Sequence, residues 1–358
     1  MKRTLLFIIC ALASLTVLAQ EEYRPFVEEG KVWIVRGNGI SPDGDQMEPW
    51  IDYCYLDGDT IVGGQTCKRM MCVTNANEEN WVDSVFTPAD CPQYYIGAWY
   101  EQDKKVYFVG NGHNRFELLY DFTLSTLDTM PIPDGSNSVV YKRTEGFLGF
   151  KGTYYTFGKE RWFEGVGSDS WPYFNHPRYI DGDLRGDLLA CLVGDELIYY
   201  RYEFGADFDY IPGARKQRID FTHTIKEKPK TRTRVEEALF GRYNEKLLSI
   251  NLNPINDAYM VSITDESGKA VYEKAINAGS IVGLNIDISK YPEGNYTVTV
   301  ENSNESFTGE FKAQLTGIEA IRSKKIEAKG YIYNLQDQRL SSPQKGLNIV
   351  NGQKVFVK

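Results

Sequence analysis

The feature that most constrains this chain is a repeated alternation of apolar and polar residues in short runs. It is cleanest in "AYMVSITDESGKAVYEKAI" and "IVGLNIDISKYPEGNYTVTVEN", where apolar residues recur at every second position. A period of two buries one face of a strand, and residues 265–268 and 292–294 have the composition of turns. We therefore expect residues 246–314 to form a small two-sheet β-sandwich.

The region from residue 22 to residue 225 carries the same kind of signal with larger side chains. Runs of four to eight apolar or aromatic residues are separated by Gly and Asp, and all six tryptophans of the chain lie here. Such runs favour a large antiparallel β-sandwich or barrel, and no long amphipathic helical pattern interrupts them. The predicted fold class is therefore all-β, with several domains.

Two segments of this acidic chain are basic. Residues 214–234 contain eight Lys or Arg, and "KEKPKTRTRVEE" is typical of a solvated linker, which we place at residues 226–245. The last segment, 315–358, is also basic. The whole chain has a net charge of −9, which argues against non-specific nucleic-acid binding.

The N-terminus resembles a secretory signal. Met1-Lys2-Arg3 precedes the apolar run "TLLFIICALASLTVLA", and small residues before Gln20 favour cleavage after Ala19, so we assign residues 1–19 to a signal peptide. A membrane anchor is the alternative, but the run is short for a span. No other stretch is apolar enough to cross a membrane, so we expect a mature protein without a transmembrane span.

Export makes disulfides possible. The mature chain would keep five cysteines: Cys54, Cys67, Cys72, Cys91 and Cys191. An odd number leaves at least one thiol unpaired within a monomer. Cys67 and Cys72 would face opposite sides of one strand, and a Cys72–Cys91 bridge is plausible, although spacing does not fix connectivity. No Cys or His spacing is typical of a zinc site, and we predict neither a metal nor a cofactor.

The segment 159–179 has the most suggestive composition for a ligand site. It combines rings, among them Trp162, Trp171 and Tyr173, with acids and amides. Exposed rings beside polar groups suit sugar binding, since the apolar face of a pyranose stacks on a ring. Glu160 and Glu164 could also serve as the carboxylate pair of a glycosidase. The competing interpretation, which we favour, is that these rings form a β-sandwich core.

The C-terminal segment "YIYNLQDQRLSSPQKGLNIVNGQKVFVK" has a strand–turn–strand pattern but too few strands to be stable alone. It resembles the C-terminal sorting region of proteins that Bacteroidota export by type IX secretion. The residues that carry this resemblance include Tyr333, Asn334, Leu335, Gly346, Gly352 and Lys354. The resemblance implies that residues 315–358 are a sorting tail, either removed or retained at the surface.

Residues 246–314 are similar to a small immunoglobulin-like family of unknown function in secreted proteins of the same bacteria, through residues 265–271 and 284–300. The resemblances imply delivery through the periplasm to the outer surface or the medium, and the outer-membrane secretion machinery as a partner. We expect a non-enzymatic binding or structural protein, with glycan as one possible ligand. A secreted glycan-active hydrolase using acids of segment 159–179 is the alternative.

Overall fold

The computed structural model of the chain describes residues 23–40, 46–75, 93–131, 137–144, 149–158, 160–170, 185–201, 217–226, 239–313, 332–333, 339–340, 345–350 and 353–357. These residues form strands and connections without a helix, which confirms the all-β prediction. We use "body" for the described residues from 23 to 201, "sandwich" for residues 217–226 with 239–313, and "tail" for those from 332 onward.

The body contains fourteen strands in the part that the structure describes. They are β1 (Lys31–Ile40), β2 (Gln46–Val62), β3 (Gln65–Asn75), β4 (Tyr94–Gln102), β5 (Lys105–Gly110), β6 (Glu117–Asp121), β7 (Thr129–Pro131), β8 (Asn137–Val139), β9 (Tyr141–Arg143), β10 (Tyr154–Phe157), β11 (Glu160–Phe163), β12 (Gly167–Ser168), β13 (Arg185–Val193) and β14 (Glu196–Tyr200).

The sandwich and the tail supply the remaining strands. Those of the sandwich are β15 (Gln217–Asp220), β16 (Thr222–Ile225), β17 (Phe240–Tyr243), β18 (Leu247–Asn251), β19 (Ala258–Asp265), β20 (Ala270–Asn277), β21 (Gly283–Asp287), β22 (Gly294–Glu301) and β23 (Glu305–Ala313). Those of the tail are β24 (Ile332–Tyr333), β25 (Arg339–Leu340), β26 (Gly346–Val350) and β27 (Gln353–Val357).

One 12-stranded antiparallel sheet runs through the body and into the sandwich. Its order is β15-β17-β18-β21-β14-β13-β1-β2-β3-β4-β5-β6. Strands β1 to β6 follow one another as a meander. The hairpin between β4 and β5 turns at Asp103 and Lys104, both in the left-handed region with φ of 53° and 60°. Two successive turn residues with positive φ give the turn a twist that matches the twist of the flanking strands.

A second body sheet, β12-β11-β10-β9, packs on the large one through aromatic rings. Trp162 meets Tyr120 edge to face with ring centroids 5.0 Å apart, and the indole N–H of Trp33 donates to the Val166 carbonyl at 2.8 Å. All three of these rings are fully buried. The body is therefore layered, with a core of large rings between these two sheets.

The second domain is a two-sheet sandwich, as its alternation predicts. One sheet is formed by β15, β17, β18 and β21, and the other has the order β16-β23-β22-β19-β20. Val261 and Val298 of one sheet and Leu248 and Ile286 of the other belong to one buried cluster. In β19 exposed and buried residues alternate along the strand, so one face points into this core.

The predicted boundaries of the sandwich and the linker need correction. Strands β15 and β16 fall in the region assigned to the large domain, yet they pair with β17 and β23 of the sandwich. Strand β17 falls in the predicted linker 226–245 and pairs with β15 and β18. The basic composition concealed strands whose partners are remote in sequence, such as Ile225, which lies opposite Glu305.

The body and the sandwich are joined by backbone pairing. Strand β14 pairs with β21, so that Glu196 lies opposite Leu284 and Leu197 opposite Gly283. The amide of Val282 donates to the Leu197 carbonyl at 2.8 Å. A strand pair across a domain boundary makes the large sheet continuous, because each strand completes the hydrogen bonding of the other.

A lysine of the body reaches across the same junction. The Lys151 ammonium donates to three carbonyls of the sandwich: to Leu252 at 2.9 Å and to Ile255 and Ala278 at 2.5 Å each. Tyr272 of β20 adds a hydroxyl bond of 2.6 Å to the Asp195 carboxylate in the turn between β13 and β14. All four bonds tie a side chain of one domain to groups of the other.

The disulfide of the described chain joins Cys54 of β2 to Cys72 of β3. These residues lie directly opposite each other in the strand pair. The suggested Cys72–Cys91 bridge is therefore wrong, since Cys72 already has a partner. Cys67 and Cys191 are buried free thiols, and Cys67 belongs to a different cluster from Cys72, as their spacing predicts. Cys91 lies outside the described residues.

Candidate functional site

The aromatic segment that suggested sugar binding lies mostly in the core where the structure describes it. Trp162 is fully buried, with Phe157 and Tyr120 edge to face against its ring at 4.6 and 5.0 Å. Its ring has no exposed face on which a sugar could stack, which supports the core interpretation for Trp162. Trp171 and Tyr173 lie outside the described residues.

Glu164 follows β11 and is held by neighbours from two other elements. Its carboxylate forms an ion pair with Lys104 at 3.2 Å and lies 3.5 Å from the Tyr155 hydroxyl, which donates more strongly to the Phe122 carbonyl at 2.7 Å. The side chain is only 12% exposed. These contacts hold the carboxylate in place and leave little of it open to solvent.

Glu160 begins β11 and has a different environment. Burial raises the pKa of its carboxyl, and the nearby negative charge of Asp169 raises it further. Asp169 is itself held by Arg161, whose Nε donates at 2.6 Å. No hydrogen bond among the described residues links Glu160 to Glu164.

An open groove lies beside the edge strand β9, and sequence reasoning did not identify it. It is lined by Thr126, Tyr141, Lys142, Arg143 and Thr144 and has a volume of about 340 Å³. The Thr126 hydroxyl accepts from the Lys142 amide at 3.1 Å and donates to the Lys142 carbonyl at 3.4 Å. These bonds fasten the segment around Thr126 along β9 and so form the groove.

The cations of this groove lack carboxylate partners among the described residues. Lys142 places its ammonium 5.5 Å from the centroid of the Tyr155 ring, and no ion pair of Lys142 or Arg143 is found there. Several other body cations do have acidic partners: Arg24, Lys68, Lys105, Arg161 and Arg201. On a protein of net charge −9, this groove brings together two cations that have no acidic partner within the described ranges.

Comparison with known proteins places the function of the sandwich. Residues 244–312 match the family model described as "Secretion system C-terminal sorting domain". This protein is exported by type IX secretion. Its destination is the cell surface or the extracellular space, and its sorting domain implies an interaction with the secretion machinery. The matched range contains strands β18 to β22 and all but the last residue of β23, which are strands of the sandwich.

The other comparisons add little. A solved structure from Bacteroides vulgatus, described as a DUF3244 family protein with an immunoglobulin-like beta-sandwich fold, is similar at 20% identity, covering 27% of this chain and 100% of that chain, with a TM-score of 0.23. No curated protein matches the chain.

The expected sorting tail, residues 315–358, lies outside the matched range, and its role stays a prediction. Its described strands form a four-stranded sheet of order β25-β24-β26-β27, with a hairpin between β26 and β27. Ile349 of β26 lies between Tyr333 of β24 and Lys354 of β27. Gly346, at the start of β26, lies opposite Val357 of β27. Asn334, Leu335 and Gly352 lie outside the described residues.

Two classes of site are not found in the part of the chain that the structure describes. No group of three or more His, Cys, Asp or Glu side chains there is arranged to hold a metal ion. The same residues contain no helix that is long and apolar enough to pass through a bilayer.

Proposed function

We propose that the exported protein is a non-enzymatic binding or structural protein of the cell surface or the extracellular space. The observation that carries this proposal is the environment of Glu164. A glycosidase needs two carboxyl groups that flank the sugar bond in an open cleft, about 5 to 9.5 Å apart. Here one candidate is paired with Lys104 and 12% exposed, and the neighbouring Trp162 ring is buried.

A secreted glycan hydrolase is the second candidate, and one observation favours it. Glu160 has a raised pKa because it is buried and lies near Asp169. A general acid for glycosidic cleavage benefits from such a shift, since it must hold a proton near neutral pH. Buried structural carboxyls show the same shift, however, and Asp169 is engaged by Arg161 rather than open to a substrate.

The test is a search for cleavage with the mature full-length protein. It is incubated with a panel of neutral and acidic polysaccharides, and new reducing ends are measured for the wild type, Glu160→Gln and Glu164→Gln. We expect no cleavage by any of the three and similar thermal unfolding. Cleavage by the wild type that disappears in Glu160→Gln, with its fold intact, would establish the hydrolase and overturn the proposal.

A further inference from the structure

We propose that the groove lined by Thr126, Tyr141, Lys142, Arg143 and Thr144 binds a carboxylate-bearing saccharide. This inference rests on the proposed function, since it names the ligand class of a binding protein. It does not depend on the aromatic segment 159–179. It begins instead from an open groove whose lining includes two cations and one half-exposed ring.

The construction of the groove favours a small ligand over an added strand. An edge strand such as β9 ordinarily offers free amide and carbonyl groups to a partner strand. Here the Thr126 hydroxyl already bonds both backbone groups of Lys142, and Leu127 donates its amide to the Val140 carbonyl at 2.9 Å. The edge is therefore closed at its centre, while the side chains above it remain accessible.

The charges of the groove favour an anion. Arg143 offers a planar set of donors that matches a carboxylate in two parallel hydrogen bonds, and Lys142 adds a second positive charge. No described acid neutralises either side chain. A long polyanion such as DNA would also meet the rest of a protein whose total net charge is −9, so a short or sparsely charged ligand fits better.

Tyr141 distinguishes a saccharide from a simple anion. Its side chain is 49% exposed, so part of the ring is available to the apolar C–H face of a pyranose. Thr144 provides a hydroxyl group that can exchange hydrogen bonds with sugar hydroxyls, and the Thr126 hydroxyl, whose hydrogen is donated to Lys142, keeps one lone pair that can accept. A volume of about 340 Å³ falls within the range of small-molecule sites. Export brings the groove into contact with saccharides of the cell surface and of the surroundings.

Isothermal titration of the mature full-length protein tests the proposal. One probe is trigalacturonate, and its matched control is the same trisaccharide with the carboxyls methyl-esterified. A second probe is acidic polysaccharide purified from the surface of the exporting cells. Binding of the surface polysaccharide alone would indicate retention on the cell, and binding of trigalacturonate would indicate capture from the surroundings. Either supports the proposal.

Variants locate the site. Arg143→Gln and Tyr141→Ala should each weaken binding about tenfold or more, because a charge-assisted pair or a stacking face is lost. Lys312→Gln removes an exposed cation of the sandwich and should leave affinity unchanged. Thermal unfolding of each variant confirms an intact fold.

Three outcomes would overturn the inference: no binding of either acidic probe by the wild type, equal binding of the methyl ester, or equal loss in Lys312→Gln. Tighter binding of a DNA oligomer would also overturn it. Cleavage of a probe that stops in Glu160→Gln but persists in Arg143→Gln would instead refute the non-enzymatic function.

Discussion

Leu197 of the body and Gly283 of the sorting domain lie opposite each other in an antiparallel strand pair. This pair extends the body sheet into the sandwich, and the amide of Asn285 adds a bond of 2.7 Å to the Asp195 carbonyl. A sorting domain connected in this way also has a structural role, because its strand β21 pairs with β14 and so extends the sheet of the body. The two domains should therefore stabilise each other.

Replacing Lys151 with Met should weaken this junction. The change removes three hydrogen bonds and leaves the carbonyls of Leu252, Ile255 and Ala278 with fewer donors. We expect the free energy of unfolding to fall by about 2 kcal/mol, measured by urea denaturation. Lys312→Met, an exposed replacement of the same type, should cost less than about 0.5 kcal/mol. Equal effects of the two changes would show that Lys151 does not join the domains.

The same lysine predicts a pH dependence. Burial lowers the pKa of Lys151 from 10.5 to about 7. The unfolded chain therefore binds more protons between pH 7 and pH 10, so this residue makes stability rise with pH in that window. The difference in unfolding free energy between the wild type and Lys151→Met should increase by about 1 kcal/mol per pH unit from pH 7.5 to 9.5. If the difference in unfolding free energy stays constant over this pH range, the pKa of Lys151 is not lowered in the folded protein.

Removing the disulfide should destabilise the body. Cys54 and Cys72 are 18 residues apart. Closing a loop of that size lowers the entropy of the unfolded chain, which stabilises the folded state by about 3 kcal/mol. The double change Cys54→Ala with Cys72→Ala should lower the unfolding free energy by about that amount. The single change Cys67→Ala, at a buried free thiol, should cost less than half as much. Peptide mapping that links Cys72 to Cys91 in the native protein would contradict this pairing.

Replacing Trp162 should cost much more stability than replacing Tyr141. Trp162→Ala empties a fully buried site between the two body sheets and should cost about 3 to 5 kcal/mol of unfolding free energy. Tyr141→Ala removes a half-exposed ring and should cost less than about 1 kcal/mol. Denaturation of both variants checks the contrast. A Trp162→Ala protein of nearly unchanged stability would show that this ring is not part of the core.

The sequence predicted the face of each sandwich strand because alternation depends only on local spacing. It could not predict which edges meet, since Leu197 and Gly283 are remote in sequence and their segments resemble any other strand. The disulfide shows the same limit. Val62 opposes Gln65, and without a bulge that register would place Cys54 opposite Val73. The register shifts by one residue between Leu56 and Asp59, so Cys54 meets Cys72 instead.

Composition alone could not decide between a binding surface and a core for the aromatic segment. Rings beside acids occur equally in a core and on a binding surface, and only packing distinguishes them, as Trp162 shows. The groove was overlooked because Tyr141, Lys142 and Arg143 form an unremarkable tripeptide. Its available signal was two adjacent cations on an edge strand of an acidic protein. That their charges lack acidic partners among the described residues is visible only in three dimensions.

The most direct test of this account is the intact mass of the native protein recovered from the surface and the medium of the exporting cells. If the sorting sandwich is also a structural part of the body, the exported protein should lack residues 1–19 and retain the chain through at least Ala313. A stable, folded exported product that ends within residues 226–245 would contradict the account, because the body would then persist without the sandwich strand that extends its sheet.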